Sequence, residues 1–117
     1  MAPNDDKKLE RIIQESVPGR QVTIAHVVAA PIDEIYERIE IPHSGAIGIL
    51  TLSPCETAII AADIATKAAD VAIGFLDRFT GSVVVTGDVQ SVETSLEAVV
   101  KVLRDDLGYD TVNVTKT

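Results

Sequence analysis

The sequence predicts an α+β domain of the ferredoxin-like, split βαβ kind, and three observations carry that prediction. Residues 46–76 read as strand, Ala-rich helix, strand. Asp77-Arg78-Phe79-Thr80-Gly81 then has hairpin turn chemistry and leads into a second β-rich run, Ser82–Thr86. From Asp88 an apolar period of helical spacing sets in and stops at Gly108, ahead of a last extended stretch. The order from Ala46 is β-α-β-β-α-β, an antiparallel-rich sheet with helices packed on it. One further strand and a short helix precede it.

Met1–Leu9 is polar and charged, as expected of an arm. Arg11-Ile12-Ile13-Gln14-Glu15-Ser16-Val17 reads as a short extended run ended by Pro18-Gly19, too short to be stable without a neighbouring strand. Gln21–Ala30 is rich in β-formers and stops at Pro31. Ile32, Ile35, Tyr36 and Ile39 recur at helical spacing and predict a short amphipathic helix. Ala46–Leu52 is apolar almost throughout, which predicts a central strand. Ser53, Pro54 and Glu56 then read as N-cap, first helical residue and capping-box partner. The helix body gathers Ala58, Ala61, Ala62, Ala65 and Ala69 in a narrow arc suited to close packing on a sheet. Val71–Leu76 is the next strand. After the hairpin, Asp88 is the expected N-cap of a helix with Val89, Val92, Leu96, Val99, Val100 and Leu103 inward and Glu93, Glu97, Lys101 and Arg104 wet. Tyr109–Val114 is the expected last strand.

The 117 residues suffice for one domain with a core. Hydrophobic residues make up 46% and aromatic ones 3%, so the core must be built from Ala, Val, Ile and Leu, small enough for close contact between layers or subunits. A net charge of −8, with ten basic residues and no basic patch, argues against nucleic acid. No apolar run approaches the roughly 18 residues of a membrane span, and the N-terminus lacks a signal-peptide core. The single cysteine, Cys55, fits a reducing cytosol. These bounds describe an acidic cytoplasmic domain without a membrane partner.

Reactive chemistry is sparse. His26 lies in an apolar strand and reads as a hydrogen-bonded structural histidine. His43 lies beside Pro42 with no Cys or His at metal spacing. Cys55 falls in the expected first turn of a helix, where a thiol is activated if a base is at hand; none is evident. Asp63 and Asp70 read as surface or helix-end charges. Gly45-Ala46-Ile47-Gly48 and Thr80-Gly81 match no phosphate-loop spacing. The expectation is no enzyme, no cofactor and no metal.

The stretch AIGILTLSPCETAIIAADIATKAADVAIGFLDRFTGSVVVTGDVQSVETSLEAV resembles the bacterial microcompartment shell domain: an AIG strand, a helix ending in TKAA, an IGF strand, and GDV opening the next helix. Upstream, RIIQESVPGRQVTIAHVVAAP resembles the leader of the circularly permuted subgroup of that family. The resemblance runs from about Arg11 to the C-terminus. It implies a cytoplasmic shell subunit that forms cyclic homohexamers and tiles with other shell proteins. It divides the chain into an arm and barrel strand over 1–19 and a permuted shell domain over 20–117. Ile12, Ile13, Gln14, Glu15, Ser16 and Val17 would join their five copies in a β-barrel above the central pore, and sixfold closure would leave no strand edge exposed. Asp77, Arg78, Phe79, Thr80 and Gly81 take the position of the pore loop, in place of the more usual small Gly-Ser-Gly-type loop. Lys67 matches an edge lysine at contacts between hexamers, a role favoured over that of a solvated helix-end lysine. Gly45 is placed to act as a bend hinge or as an ordinary loop glycine. Encapsulated enzymes or their targeting peptides are a further class of partner. Propanediol, ethanolamine and choline compartments share such shell proteins, and the residues do not choose between them. By fold alone, a small-molecule-binding regulatory domain is the alternative.

Overall fold

The computed structural model describes residues 19–117, so the Ile12–Val17 run lies outside the described residues. The elements are β1 (Gln21–Ala29), α1 (Asp33–Ile39), β2 (Ala46–Ser53), α2 (Thr57–Ala68), β3 (Ala72–Asp77), β4 (Ser82–Gly87), α3 (Val89–Asp105) and β5 (Thr115–Lys116). One five-stranded sheet runs β3-β4-β2-β1-β5. β2 is central, antiparallel to β1 from Gln21↔Ser53 to Ala29↔Ala46 and to β4 from Ala46↔Gly87 to Thr51↔Ser82. Its near-continuous apolar run follows from that position.

β1 therefore stands beside β2, in the place where a ferredoxin-like order starting at Ala46 puts its last strand. The last strand itself is much shorter than expected. Tyr109 is drawn into the core, where its hydroxyl meets the Thr57 hydroxyl at 2.8 Å. Asp110 then bonds the start of β1, its N–H to the Arg20 carbonyl and its carbonyl from the Val22 N–H. The chain rejoins β1 only at Thr115–Lys116, in parallel. With β1 already on β2, the last segment has only the far edge of β1 to pair with, and it does so at Asp110 and at Thr115–Lys116 but not over residues 111–114.

One face of the sheet is covered by α2 and α3. Val22, Ala25, Val27, Leu50, Leu52, Val83 and Val85 meet Ala58, Ala61, Ala62 and Ala65 of α2 and Val92, Leu96, Val99, Val100 and Leu103 of α3. Gly48 is what allows α3 to lie so close, since a Cβ there would fall 2.7 to 2.9 Å from Val92, Leu96 and Val85 side-chain carbons. The cap of α3 is as expected. The Asp88 carboxylate accepts the Ser91 N–H at 2.8 Å, and Tyr109 N–H closes the far end on the Leu103 carbonyl past Gly108 at φ 74°.

The start of α2 corrects the capping-box expectation. Ser53 is the last residue of β2, paired with Gln21, and the helix it was expected to cap begins four residues later. Pro54–Glu56 instead form a turn in which Thr57, Ala58 and Ile59 N–H groups bond the Pro54, Cys55 and Glu56 carbonyls. The helix starts at Thr57 without a side-chain cap, so Cys55 precedes it rather than occupying its first turn. Strand pairing outweighs the local helix-start signal here.

The other face carries a smaller cluster, Tyr36 and Ile41 on Ile47 and Val84, with Val28 and Ile49 at its margin. Only Tyr36 of α1 is buried. The amphipathic reading of α1 thus needs correcting, because Ile32, Ile35 and Ile39 keep 65, 41 and 39% of their surface exposed.

Candidate functional site

The described residues offer surfaces more than a pocket of reactive groups. No group of three or more His, Cys, Asp or Glu among them is placed to hold a metal ion. No helix among them is long and apolar enough to cross a membrane.

The β3–β4 turn is tightly built. The Asp77 carboxylate accepts the N–H of Phe79 at 2.9 Å and of Thr80 at 3.3 Å. These bonds, the Phe79 one foremost and then the Thr80 hydroxyl, hold the Asp77 carboxyl below its usual range. Gly81 adopts φ 80°, and a Cβ there would collide with the Leu52 carbonyl oxygen. That carbonyl approach accompanies a 2.8 Å bond from Leu52 N–H to the Gly81 carbonyl, which ties the turn to the end of β2. Arg78 and Phe79 form the tip. The guanidinium lies 5.0 Å from the ring centroid, and Phe79 is 78% exposed.

Lys67 ends α2 on its outer side, paired at 3.0 Å with Asp63 one turn earlier. Both side chains are well exposed, so this pair is weak and leaves the ammonium accessible. On the same helix Ile59 and Ile60 are exposed, because the inward arc is filled by the alanines. β3, which α2 packs on, is an edge strand that exposes Ile73, Phe75 and Leu76. The sequence reading missed these five residues as a feature; the available signal was apolar residues in excess of the inward face.

Gly45 sits just before β2. A Cβ there would lie 3.1 Å from Asp88 Cα and 3.4 Å from the Gly87 carbonyl oxygen, and its own carbonyl accepts the Ala30 N–H. The glycine therefore sets how closely the start of β2 approaches the start of α3. Lys67, Gly45 and the 77–81 turn are three separate places on the domain.

His26 is half-buried on β1, with Nδ1 2.5 Å from the Thr115 hydroxyl and Nε2 2.9 Å from the Thr117 hydroxyl. It clasps β5 to β1, a structural use of both ring nitrogens that the missing partner residues hid at the sequence level. His43 stacks on Tyr36 with centroids 5.0 Å apart and lies 3.5 Å from an Asp33 carboxylate oxygen. Cys55 is half-buried, with its Sγ 3.7 Å from a Glu56 carboxylate oxygen.

Comparison with known proteins places this architecture. Residues 46–115 match the BMC domain. The chain is 60% identical over 110 residues to the bacterial microcompartment shell protein CutR of Streptococcus intermedius, covering 94% of this chain and 95% of that protein. It is 55% identical over 108 residues to the shell protein EutS of Escherichia coli, covering 92% and 97%. Among solved structures, a CutR flat hexamer superposes with a TM-score of 0.83 at 60% identity, over 92% of this chain and 99% of that one. A form described as a CutR screw gives 0.81 at 57% identity, over 86% and 100%. With the fold, the apolar outer surfaces and the match from β1 to the C-terminal strand in agreement, this chain belongs to the family of bacterial microcompartment shell proteins.

Proposed function

We propose that the protein is a structural subunit of a microcompartment shell, closing into cyclic homohexamers that tile with other shell proteins in the cytoplasm. The observation that carries this is identity of 60% across nearly the whole chain to CutR, a relative solved as a flat hexamer. The outer surfaces agree. An edge strand with Ile73, Phe75 and Leu76 exposed and no lysine or proline to block pairing is a liability in a lone subunit and an asset in a ring. The family relation also favours this reading over a ligand-binding regulatory domain, which would need a pocket rather than edges.

On this reading β1 is the strand that a circular permutation moved from the end of the domain to its start, and the Ile12–Val17 run continues from it as one stave of a six-stranded barrel. The Asp77–Gly81 turn faces the pore. Its tip, Arg78 and Phe79, is bulky, so the pore is narrow and, under the barrel, closed to metabolites. Lys67 works at hexamer–hexamer edges, where its exposure suits a contact made only on tiling. Gly45 is the bend hinge between subunits. Its tight approach to Asp88 makes a larger side chain push β2 from α3, so Gly45→Val should change hexamer shape; an unaltered shape would remove the hinge role. The barrel cup is a further place for an encapsulated enzyme's targeting peptide.

The test is native mass by size-exclusion light scattering. A six-subunit mass supports the reading, and a dimer or trimer overturns it. Lys67→Ala should leave that mass unchanged while abolishing extended sheets in electron micrographs. A loss of the hexamer itself would move Lys67 from the edge to the ring.

A further inference from the structure

One polar pair sits inside an otherwise apolar junction. The Thr57 and Tyr109 side chains are both buried, and their hydroxyls lie 2.8 Å apart. Valine and phenylalanine would fill the same space with no hydroxyl to desolvate, so what the pair adds to packing is direction. Thr57 is the first residue of α2, and its own N–H is bonded to the Pro54 carbonyl at 2.9 Å. Tyr109 therefore takes its position from the start of α2. The next residue passes that position on. The Asp110 N–H donates to the Arg20 carbonyl at 3.0 Å, and the Asp110 carbonyl accepts the Val22 N–H at 2.8 Å. The Arg20 guanidinium lies 6.0 Å from the centroid of the Tyr109 ring.

What these contacts hold is a handle of three residues, 20–22. After it, the pairing of β1 with β2 shifts register between Val22 and Ile24, a bulge at which the strand bends. Before it, Gly19 adopts φ 85°, a turn conformation that glycine permits. The handle thus lies between two bends, with Ser53 paired to Gln21 on one side and Asp110 on the other. It stands at the end of the sheet that carries the 77–81 turn, since Ser82 pairs with Thr51, two residues from Ser53.

We infer that the Thr57–Tyr109 hydroxyl pair is a positioning joint that sets the angle at which the chain before Gly19 enters the domain, and so aims the Ile12–Val17 run into the barrel. The pair acts through Asp110 and Arg20. Without the bond, Tyr109 keeps its packing but loses its fixed orientation, and the handle is free to pivot between its two bends. This role presupposes the barrel proposed above, while every contact that carries it lies within one subunit.

The test is hydrogen–deuterium exchange of the full-length protein, read by mass spectrometry, with native mass measured alongside. Thr57→Val should speed exchange over residues 11–18 about tenfold, the scale of one lost hydrogen bond. Exchange in α3 and the native mass should stay those of the parent protein. Thr57→Ser keeps the hydroxyl and should exchange as the parent does. Thr57→Val combined with Tyr109→Phe leaves no hydroxyl unpaired, yet should exchange as fast as Thr57→Val alone. A return of that double variant to the parent rate would overturn the joint, because the single variant would then act only by stranding a buried hydroxyl. An unchanged rate in Thr57→Val, or no rescue by Thr57→Ser, overturns it too. So does a rise shared by α3 or a change of native mass, either of which makes the pair merely structural. Free exchange over residues 11–18 in the parent protein would instead remove the barrel, and the role of the joint with it.

Discussion

The two faces of the sheet are finished very differently. On one, α2 and α3 bury Val22, Val27, Leu50, Leu52, Val83 and Val85 almost completely, and Gly48 removes even a methyl group so that α3 can sit closer. On the other, α1 covers only Ile47, Val84 and their margins, and its Ile35 and Ile39, with Ile32 at its N-cap, stay partly in solvent. A domain of this size has enough apolar surface to close both faces. Leaving one partly open, with an apolar edge strand beside it, is what a subunit built for assembly does with its surplus. The closed face makes the domain stable, and the open surfaces leave apolar area unburied in a lone subunit.

The largest effect should come from the closed face. Leu96→Ala empties a fully buried site between α3 and β2 and should lower unfolding free energy by about 3 kcal/mol in urea melts. A loss below about 1 kcal/mol would mean the closed face is as loosely packed as the open one. Tyr36→Phe keeps the ring and removes the bond to the Ser44 carbonyl, so a cost of about 1 kcal/mol is expected, with the exposed isoleucines contributing nothing to offset it. Glu40, at the end of α1, adopts φ 61°, a left-handed conformation that an ordinary side chain resists. Glu40→Gly should therefore stabilise by about 0.5 kcal/mol, and a loss of stability would show that its side chain matters more than its backbone.

The smallest effect expected is with pH. Asp88 is held below its usual range by the Ser91 N–H and hydroxyl, and Asp105 by its bonds to Arg104 and then Lys101. A depressed folded pKa gives stability that is present above the unfolded pKa and is lost as pH falls through the folded value. The melting temperature should thus hold from neutral pH to about pH 5 and drop below about pH 4. Asp88→Asn should flatten that drop, because this residue caps the helix of the closed face. An unchanged acid limb would remove the cap from the account. All these groups are exposed, so the effect is modest.

Legibility divides along the same line. α3 could be read residue by residue from Asp88 to Gly108, because a cap, a period and a terminating glycine are all local signals. The inward alanines of α2 could be read for the same reason. The start of α2 could not, since Ser53 is claimed by pairing with Gln21, a residue 32 positions away. Nor could the loss of residues 111–114 from the last strand, which follows from β1 having taken the place beside β2. Lys67 and the 77–81 turn, proposed to work in assembly, stood out through resemblance to a family, and no pattern of their own would have singled them out. The exposed Ile59, Ile60, Ile73, Phe75 and Leu76 were not singled out, because which apolar residues face outward is known only once the helices and strands are placed.

By itself the sequence determined the α+β class, the element order and the small-residue core, because these rest on periodicity and turns that act over a few residues, and it pointed to the family through resemblance over nearly the whole chain. The tertiary structure alone decided which strand lies beside β2, that His26 clasps Thr115 and Thr117, and which isoleucines are left to solvent. Those outcomes depend on which distant segments compete for the same strand edge or sheet face, and that competition is settled only when the whole chain packs.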